Sequence, residues 1–233
     1  MISANLRNIE GEMSSAGRKV TLVAVTKSVG IDETNEIIKA GVRAIGENRV
    51  EDFEKKITQL LPVEKHFIGQ IQSRKIKRIV ELFDVIQSVD SIEHLEKIER
   101  EAVSQNKKIK ILLQFNISRE AQRGGFEPSD VVQIIKAIGR YSLSVNSREL
   151  TDKSNSILSI QHVEIIGVMG MASDTTDTEV VREQFRLLKD IRDQLQSKYP
   201  KIKELSMGMS SDCQIALEEG ATILRIGRAL FSN

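Results

Sequence analysis

The 233-residue sequence is poor in cysteine and has no excess of charge of either sign. Its single cysteine cannot form an internal disulfide framework, which excludes a disulfide-stabilised secreted scaffold. No apolar run approaches the ~20 residues of a membrane span, and the opening residues lack the basic flank and apolar stretch of a signal peptide. A net charge of +1 creates no overall field for nucleic acid or an anionic membrane. These absences predict a cytoplasmic protein with neither nucleic-acid nor membrane partners.

The sequence does contain a regular alternation of strand-like and helix-like segments. Stretches with helical periodicity, several of them opening on Asp or Ser caps, separate eight apolar runs. Eight strand–helix units predict an α/β protein with a single (β/α)8 barrel over residues 1–233. An open doubly wound sheet has the same periodicity and is the alternative. The eight predicted strands are Val20–Thr26, Arg43–Gly46, His66–Gly69, Val85–Val89, Ile109–Phe115, Val163–Val168, Glu204–Met207 and Ile223–Gly227.

One segment, Arg140–Gln161, breaks this alternation. It is polar and rich in serine, and it is longer than an ordinary connection between a helix and a strand. We interpret it as a surface insertion, because surface loops tolerate added residues. A site for a partner is the alternative interpretation.

The first strand, in the stretch TLVAVTKSVG, ends on a lysine, Lys27. A strand that simply ends there, with its ammonium group in water, would explain this lysine without any function. In a (β/α)8 barrel, however, the residues that follow the carboxyl ends of the strands form the functional site. Lys27 is therefore a candidate functional residue, and so are Asn48 after the second strand and the residues after the last two strands.

The loops after the seventh and eighth strands have the composition of a phosphate site. Gly208 and Gly227 allow close approach of the backbone, and the hydroxyls of Ser206, Ser210 and Ser211 add hydrogen-bond donors. Barrels often bind phosphate with these two loops. An ordinary helix cap and a turn would explain each loop separately. Together with the lysine, the loops suggest a phosphate ligand that carries an aldehyde and is held as a Schiff base.

The sequence resembles the pyridoxal phosphate homeostasis protein family over nearly its whole length. The motifs that carry the resemblance are VAVTKSV, IGENRVED, HFIGQIQSRKIK, SVDS, FNISREAQRGGF, GVMGMA, LSMGMSSD and ATILRIGRALF. The resemblance implies a barrel similar to the N-terminal domain of alanine racemase, with pyridoxal 5′-phosphate (PLP) as its cofactor.

The resemblance also implies which residues hold the cofactor. Lys27 matches the lysine that forms the covalent aldimine, and Asn48 matches an asparagine near the cofactor ring. Arg225 matches an arginine that faces the pyridine nitrogen. The remaining matched cofactor-binding positions, which include those of the phosphate loops, are Ser206, Met209, Gly227 and Arg228.

These features predict a PLP carrier rather than a catalyst. An arginine beside the pyridine nitrogen disfavours ring protonation and weakens the ring as an electron sink. Racemisation also needs a second acid–base group, a tyrosine in alanine racemase, and neither Tyr141 nor Tyr199 is well placed. The sequence stops at Asn233, directly after the last predicted strand and loop, so we expect the second domain that completes a racemase site to be absent.

We therefore expect a protein of intracellular PLP homeostasis, without catalytic residues of its own. We expect a monomer that binds PLP and has PLP-dependent apo-enzymes as its protein partners. A minimal PLP-dependent amino-acid racemase or a Schiff-base aldolase is the alternative.

Other reactive side chains are interpreted as structural. His66, His94 and His162 lack the paired spacing of a metal site, so no metal is expected. Cys213 follows the seventh-strand loop at a predicted helix start, where a thiolate would be favoured, but burial as a small apolar residue is the preferred interpretation.

Overall fold

Eight parallel strands close into a barrel in the computed structural model, which describes residues 1–143 and 161–232. Each strand pairs with the next along the chain, and β8 pairs with β1 to complete the circle. This closed order confirms the predicted (β/α)8 barrel and excludes the open sheet. The strands are β1 (Thr21–Val25), β2 (Ala44–Glu47), β3 (Glu64–Phe67), β4 (Val85–Val89), β5 (Ile109–Phe115), β6 (Val163–Gly170), β7 (Glu204–Ser206) and β8 (Ile223–Ile226).

The helices surround the barrel, and side-chain caps fix the starts of two long ones. The Ser91 hydroxyl accepts a hydrogen bond from the first turn of α5, and the Asp177 carboxylate accepts two at the start of α7. Three short 3₁₀ turns accompany the helices of the described chain. The helices are α1 (Ile2–Ser15), α2 (Ile31–Lys39), α3 (Val50–Glu54), α4 (Ile76–Leu82), α5 (Ile92–Ser104), α6 (Val131–Leu143), α7 (Thr178–Lys198), α8 (Cys213–Glu218) and α9 (Arg228–Phe231).

The first and last helices contact each other. The side-chain amide of Asn5 in α1 donates hydrogen bonds to the carbonyls of Leu230 and Ser232, each at 3.2 Å. The two ends of the described chain are thereby held together on the outside of the barrel.

The predicted elements agree with the observed ones apart from local shifts. The third strand begins at Glu64 rather than His66, because Glu64 and Lys65 are polar residues at the rim and do not extend the apolar run. Residues 140–143 of the predicted insertion belong to the end of α6. Residues 144–160, which make up most of that insertion, lie outside the described residues.

The core has two layers, which the strands separate. The larger layer lies between strands and helices, and Phe53, Phe67 and Phe83 form contacting aromatic pairs within it. The smaller layer fills the barrel, so the interior is packed rather than a channel. Its members come one from each of six strands, and they are Val23, Ala44, Val85, Leu112, Met169 and Ile223.

A buried carboxylate fixes the point where the chain enters β6. Glu99 in α5 is 1% exposed, and its two oxygens accept hydrogen bonds from the backbone N–H groups of Gln161, His162 and Val163. These backbone N–H donors satisfy the buried carboxylate and fix the direction in which the polypeptide enters β6. Within the described residues, no helix is both long and apolar enough to cross a membrane.

Candidate functional site

The predicted site residues lie at one end of the barrel. Because all eight strands are parallel, their carboxyl ends form a single face, which we call the mouth. Lys27 follows β1, Asn48 follows β2, and the loops at Met207–Asp212 and Gly227–Arg228 follow β7 and β8. The fold thus brings together residues that are up to 201 positions apart in the sequence.

Lys27 is exposed at this mouth. Its side chain forms no hydrogen bond or ion pair with any part of the chain that the structure describes. It follows Thr26, which is fully buried. The amine of Lys27 is therefore open to an incoming ligand.

Asn48 is half-buried and lies against the loop that follows β3. A Cβ atom added to Gly69 would come within 2.0 Å of the Asn48 carbonyl oxygen, so only glycine allows this close approach of the two backbones. The approach fixes the backbone at Asn48 beside the mouth.

The loops that follow β7 and β8 contact each other. Gly208 has a φ of +94°, and a Cβ there would lie 2.6 Å from the Cβ of Ala216. The Ser210 hydroxyl accepts a hydrogen bond of 3.2 Å from the backbone N–H of Ala229, which links the two loops. The Met209 N–H already donates to the Asp212 carboxylate at 2.5 Å.

The last loop also lies beside the strand that leads to the lysine. A Cβ added to Gly227 would be 3.4 Å from the Cβ of Val25, an ordinary van der Waals separation. Arg228, which follows, is exposed. The loop after β8 is therefore next to the end of β1, and the loop after β7 contacts it.

Arg225 lies inside the barrel, beneath the mouth, and is 4% exposed. Its guanidinium donates to the Ser206 hydroxyl at 2.6 Å and to the Gly170 carbonyl at 3.0 Å. Burial lowers the pKa of Arg225 to about 10, which still leaves it a cation at neutral pH, and the nearby Asp212 carboxylate opposes this lowering. Burial in turn raises the pKa of Asp212 above its ordinary value.

Ser206 differs from the other predicted phosphate-loop residues in its position. It is fully buried, and its hydroxyl donates to the side chain of Gln87 at 2.7 Å while accepting from Arg225. A hydroxyl has one proton to donate, so binding a phosphate through this proton would require breaking the bond to Gln87. A phosphate role for Ser206 stays a prediction.

Other side chains singled out in the sequence have local partners. The Nδ1 atom of His94 is 2.6 Å from Asp90, and its Nε2 atom is 3.3 Å from the Ser73 hydroxyl. Burial, together with the nearby Glu12, raises the pKa of Cys213 to about 11, so the thiol is not activated.

Sequence reasoning missed three polar residues that lie inside the barrel and at its opposite rim. His66 was considered only as a metal ligand, and Gln87 and Glu64 were not considered. The available signal was a polar side chain inside a short buried strand, as in VIQSV, where an apolar residue is expected.

These features define the class of the protein: a (β/α)8 barrel with its candidate site at the carboxyl ends of the strands. Residues 1–233 match the family described as "Alanine racemase, N-terminal domain". The chain is 33% identical to the pyridoxal phosphate homeostasis protein of Aquifex aeolicus, and the match covers 100% of the chain and 96% of that relative. The chain therefore belongs to the pyridoxal phosphate homeostasis proteins within the alanine racemase N-terminal domain family.

Solved structures show the same relationship. PipY of Synechococcus elongatus PCC7942 superposes with a TM-score of 0.83 and 29% identity without PLP, and with a TM-score of 0.80 and 31% identity with PLP bound. Both matches cover 100% of each chain. Alanine racemase of Clostridium difficile has a TM-score of 0.76 at 15% identity, covering 99% of this chain and 57% of the racemase, which shows the shared fold alone.

Proposed function

We propose that this chain binds PLP at the mouth of the barrel and carries or buffers it in intracellular PLP homeostasis. The observation that carries the proposal is the full-length similarity to PipY, whose structure has PLP bound, at 31% identity. The curated relatives from Aquifex aeolicus and Vibrio cholerae, both named pyridoxal phosphate homeostasis protein, support it.

The residues at the mouth fit this group. PLP supplies an aldehyde that reacts reversibly with amines and a pyridine ring that can accept electrons. Lys27 offers an exposed amine for the covalent link, and Arg225 places a cation beneath the mouth. Met209, Gly227 and Arg228 belong to the two contacting loops, which we propose hold the phosphate.

The same residues favour a carrier over a catalyst. Arg225 is a hydrogen-bond donor without an acceptor atom, so it disfavours a proton on a neighbouring pyridine nitrogen. Tyr199 lies at the opposite end of the barrel from Lys27, where its hydroxyl donates to the Ile135 carbonyl at 2.8 Å. We propose that the chain is a single-domain cytoplasmic monomer that delivers PLP to PLP-dependent apo-enzymes.

The test is the absorption spectrum of the purified protein. The proposal predicts a yellow protein with a visible band that is lost on treatment with a carbonyl-reactive amine such as hydroxylamine and restored by added PLP once the reagent is removed. A protein that stays colourless after incubation with PLP would contradict the proposal.

A second measurement separates the carrier from the enzyme. The loaded protein is incubated with isotopically labelled L- and D-amino acids, and with β-hydroxy amino acids to detect aldolase cleavage. The carrier predicts no turnover above free PLP, whereas catalytic turnover would favour the racemase or aldolase alternative.

A further inference from the structure

A continuous chain of hydrogen bonds crosses the interior of the barrel and ends at Arg225. The Arg225 guanidinium donates to Ser206 at 2.6 Å, and the Ser206 hydroxyl donates to the Oε1 atom of Gln87 at 2.7 Å. The Nε2 atom of Gln87 is 2.7 Å from Nδ1 of His66, and Nε2 of His66 is 3.1 Å from the Glu64 carboxylate. The chain thus connects a cation beneath the mouth to an anion at the opposite rim.

One bond of the chain, between Gln87 and Ser206, crosses the barrel, whereas the other bonds join neighbouring strands or residues of one strand. Gln87 in β4 and Ser206 in β7 are separated by two strands around the circle. His66, Gln87 and Ser206 are each at most 2% exposed. Water therefore cannot replace a lost partner readily, and every hydrogen bond of the chain matters for its neighbours.

The two ends determine the direction of every hydrogen bond. A guanidinium only donates and a carboxylate only accepts, so Ser206 must accept from Arg225 and His66 must donate to Glu64 through Nε2. Ser206 then donates to Oε1 of Gln87, which directs the Gln87 NH₂ group to Nδ1 of His66.

The opposite orientation of the Gln87 amide fails. Its NH₂ group would then donate to Ser206, and the hydroxyl proton of Ser206 would lose its acceptor inside the barrel. His66 accordingly accepts through Nδ1 and donates through Nε2. The hydrogen bond from His66, assisted by Lys110, lowers the pKa of Glu64, so the acceptor at the rim stays ionised.

The hydrogen-bonded chain keeps Arg225 in one arrangement. Because the Ser206 proton is directed away to Gln87, a lone pair of its oxygen faces the guanidinium, and the Gly170 carbonyl accepts from the second nitrogen at 3.0 Å. Two of the five N–H donors of Arg225 are thereby used to fix its plane. If the order of donors were reversed, Ser206 would point its proton at the cation.

We propose that Glu64, His66 and Gln87 are positioning residues that act through Ser206 on Arg225 and so control the electronic state of the bound cofactor ring. This inference rests on the proposed function, because the ring that Arg225 faces is that of PLP. It assigns a role toward the cofactor site to residues that lie between Ser206 and the far rim.

The first test needs no cofactor. Nitrogen-15 NMR of the full chain, labelled on histidine, distinguishes a protonated from an unprotonated ring nitrogen, and the variants His94→Gln and His162→Gln assign the three histidines. We expect His66 to be protonated on Nε2 alone. A proton on Nδ1 of His66 in the unmodified protein would overturn the inference.

The second test reverses one bond of the chain, that between residue 87 and His66, with a residue of the same size. Gln87→Glu offers acceptors to both neighbours, so His66 should gain a proton on Nδ1, and the ratio of visible to near-ultraviolet absorption of the PLP-loaded protein should change at least twofold. Ser206→Ala should change this ratio while leaving the His66 tautomer as it is in the unmodified protein. His162→Gln, at the same rim but outside the chain, is the matched control and should leave both signals unchanged.

The outcomes separate the two proposals. If the unmodified protein binds PLP and the spectra of Gln87→Glu and Ser206→Ala coincide with its own, the inference is wrong and the proposed function stands. If the unmodified protein binds no PLP, the proposed function fails, and the role of the hydrogen-bonded chain toward a cofactor fails with it. The tautomer measurement on the unmodified protein remains decisive for the geometry if a variant does not fold.

Discussion

Lys56 joins the ends of two neighbouring strands at the mouth. Its ammonium group donates to the Thr26 carbonyl at 2.8 Å and to the Glu47 carboxylate at 2.9 Å. Glu47 is 1% exposed, and its Oε2 atom has no hydrogen-bond partner among the described residues. Because Thr26 and Glu47 directly precede Lys27 and Asn48, this buried ion pair fixes the backbone from which two candidate site residues extend.

Lys56→Met should therefore destabilise the protein strongly. It leaves the buried Glu47 carboxylate with the Thr26 hydroxyl as its remaining side-chain partner, and such an uncompensated charge costs about 3–5 kcal/mol. The double variant Glu47→Gln/Lys56→Met should recover part of this loss, because it removes the charge as well. Urea denaturation measures both. Lys55→Met, which breaks only an exposed ion pair with Asp52, is the control, and an equal effect of the two lysine variants would contradict the interpretation.

Lys27→Ala should abolish covalent attachment of PLP while leaving the protein folded. Borohydride reduces only an imine to a stable amine, so reduction should fix PLP to the peptide that contains Lys27 in the unmodified protein and to no peptide in the variant. Mass mapping of the reduced peptides is the measurement. Since Lys27 is exposed, its removal should change the free energy of unfolding by less than about 0.5 kcal/mol. Label found instead on Lys75 or Lys203 would show that the covalent site is misassigned.

The fold was largely predictable from the sequence because most of its strands are buried on both faces and appear as largely apolar runs. The largest shift of a strand start, from His66 to Glu64, falls where polar residues begin a strand at the rim. Lys27 and the glycine loops were predictable because parallel strands place all their carboxyl ends on one face.

Contacts across the barrel were not predictable in this way. The bond between Gln87 and Ser206 depends on which strands face each other after closure, and a periodic pattern carries no such information. The ion pair between Lys56 and Glu47 depends on how the chain turns after α3, because this turn places Lys56 beside the end of β2.

Gly208→Ala should destabilise the protein by more than the left-handed backbone conformation of residue 208 alone explains. Gly208 and Gly220 both have left-handed φ values, +94° and +103°, which cost a side chain roughly 1–2 kcal/mol. An added Cβ at Gly208 would also collide with Ala216 at 2.6 Å and Leu224 at 2.8 Å, whereas at Gly220 the nearest atom, in Lys189, is 3.9 Å away.

The two variants thus separate strain from collision. We expect Gly208→Ala to lose about 1–3 kcal/mol more than Gly220→Ala in denaturant unfolding, since overpacking adds its own cost. Gly208→Ala should also weaken PLP binding, while Gly220→Ala should not. Equal losses in the two variants would mean that the loop accommodates a methyl group and that Gly208 is not required for close packing.

Glu64 should contribute stability near neutral pH that is lost in acid. Its pKa is lowered from 4.5 to about 2, chiefly by the hydrogen bond from His66. A carboxylate with a lowered folded-state pKa stabilises the protein above its unfolded-state pKa, and this contribution disappears as the pH falls through the folded-state value. The side chain is 36% exposed, so solvent screening reduces the contribution to about 1–2 kcal/mol.

The measurement is the difference in unfolding free energy between the unmodified protein and Glu64→Gln across this pH range. The difference should be largest near neutral pH and should fall by roughly half by about pH 3, because protonation of the unfolded carboxyl then removes the advantage of the folded one. Glu93→Gln is the matched control: that carboxylate is paired with Lys97 on the surface and 71% exposed, so its difference should stay small at every pH. A difference for Glu64→Gln that does not change with pH would show that the loss comes from packing, and that the carboxylate at the rim does not anchor the hydrogen-bonded chain through its charge.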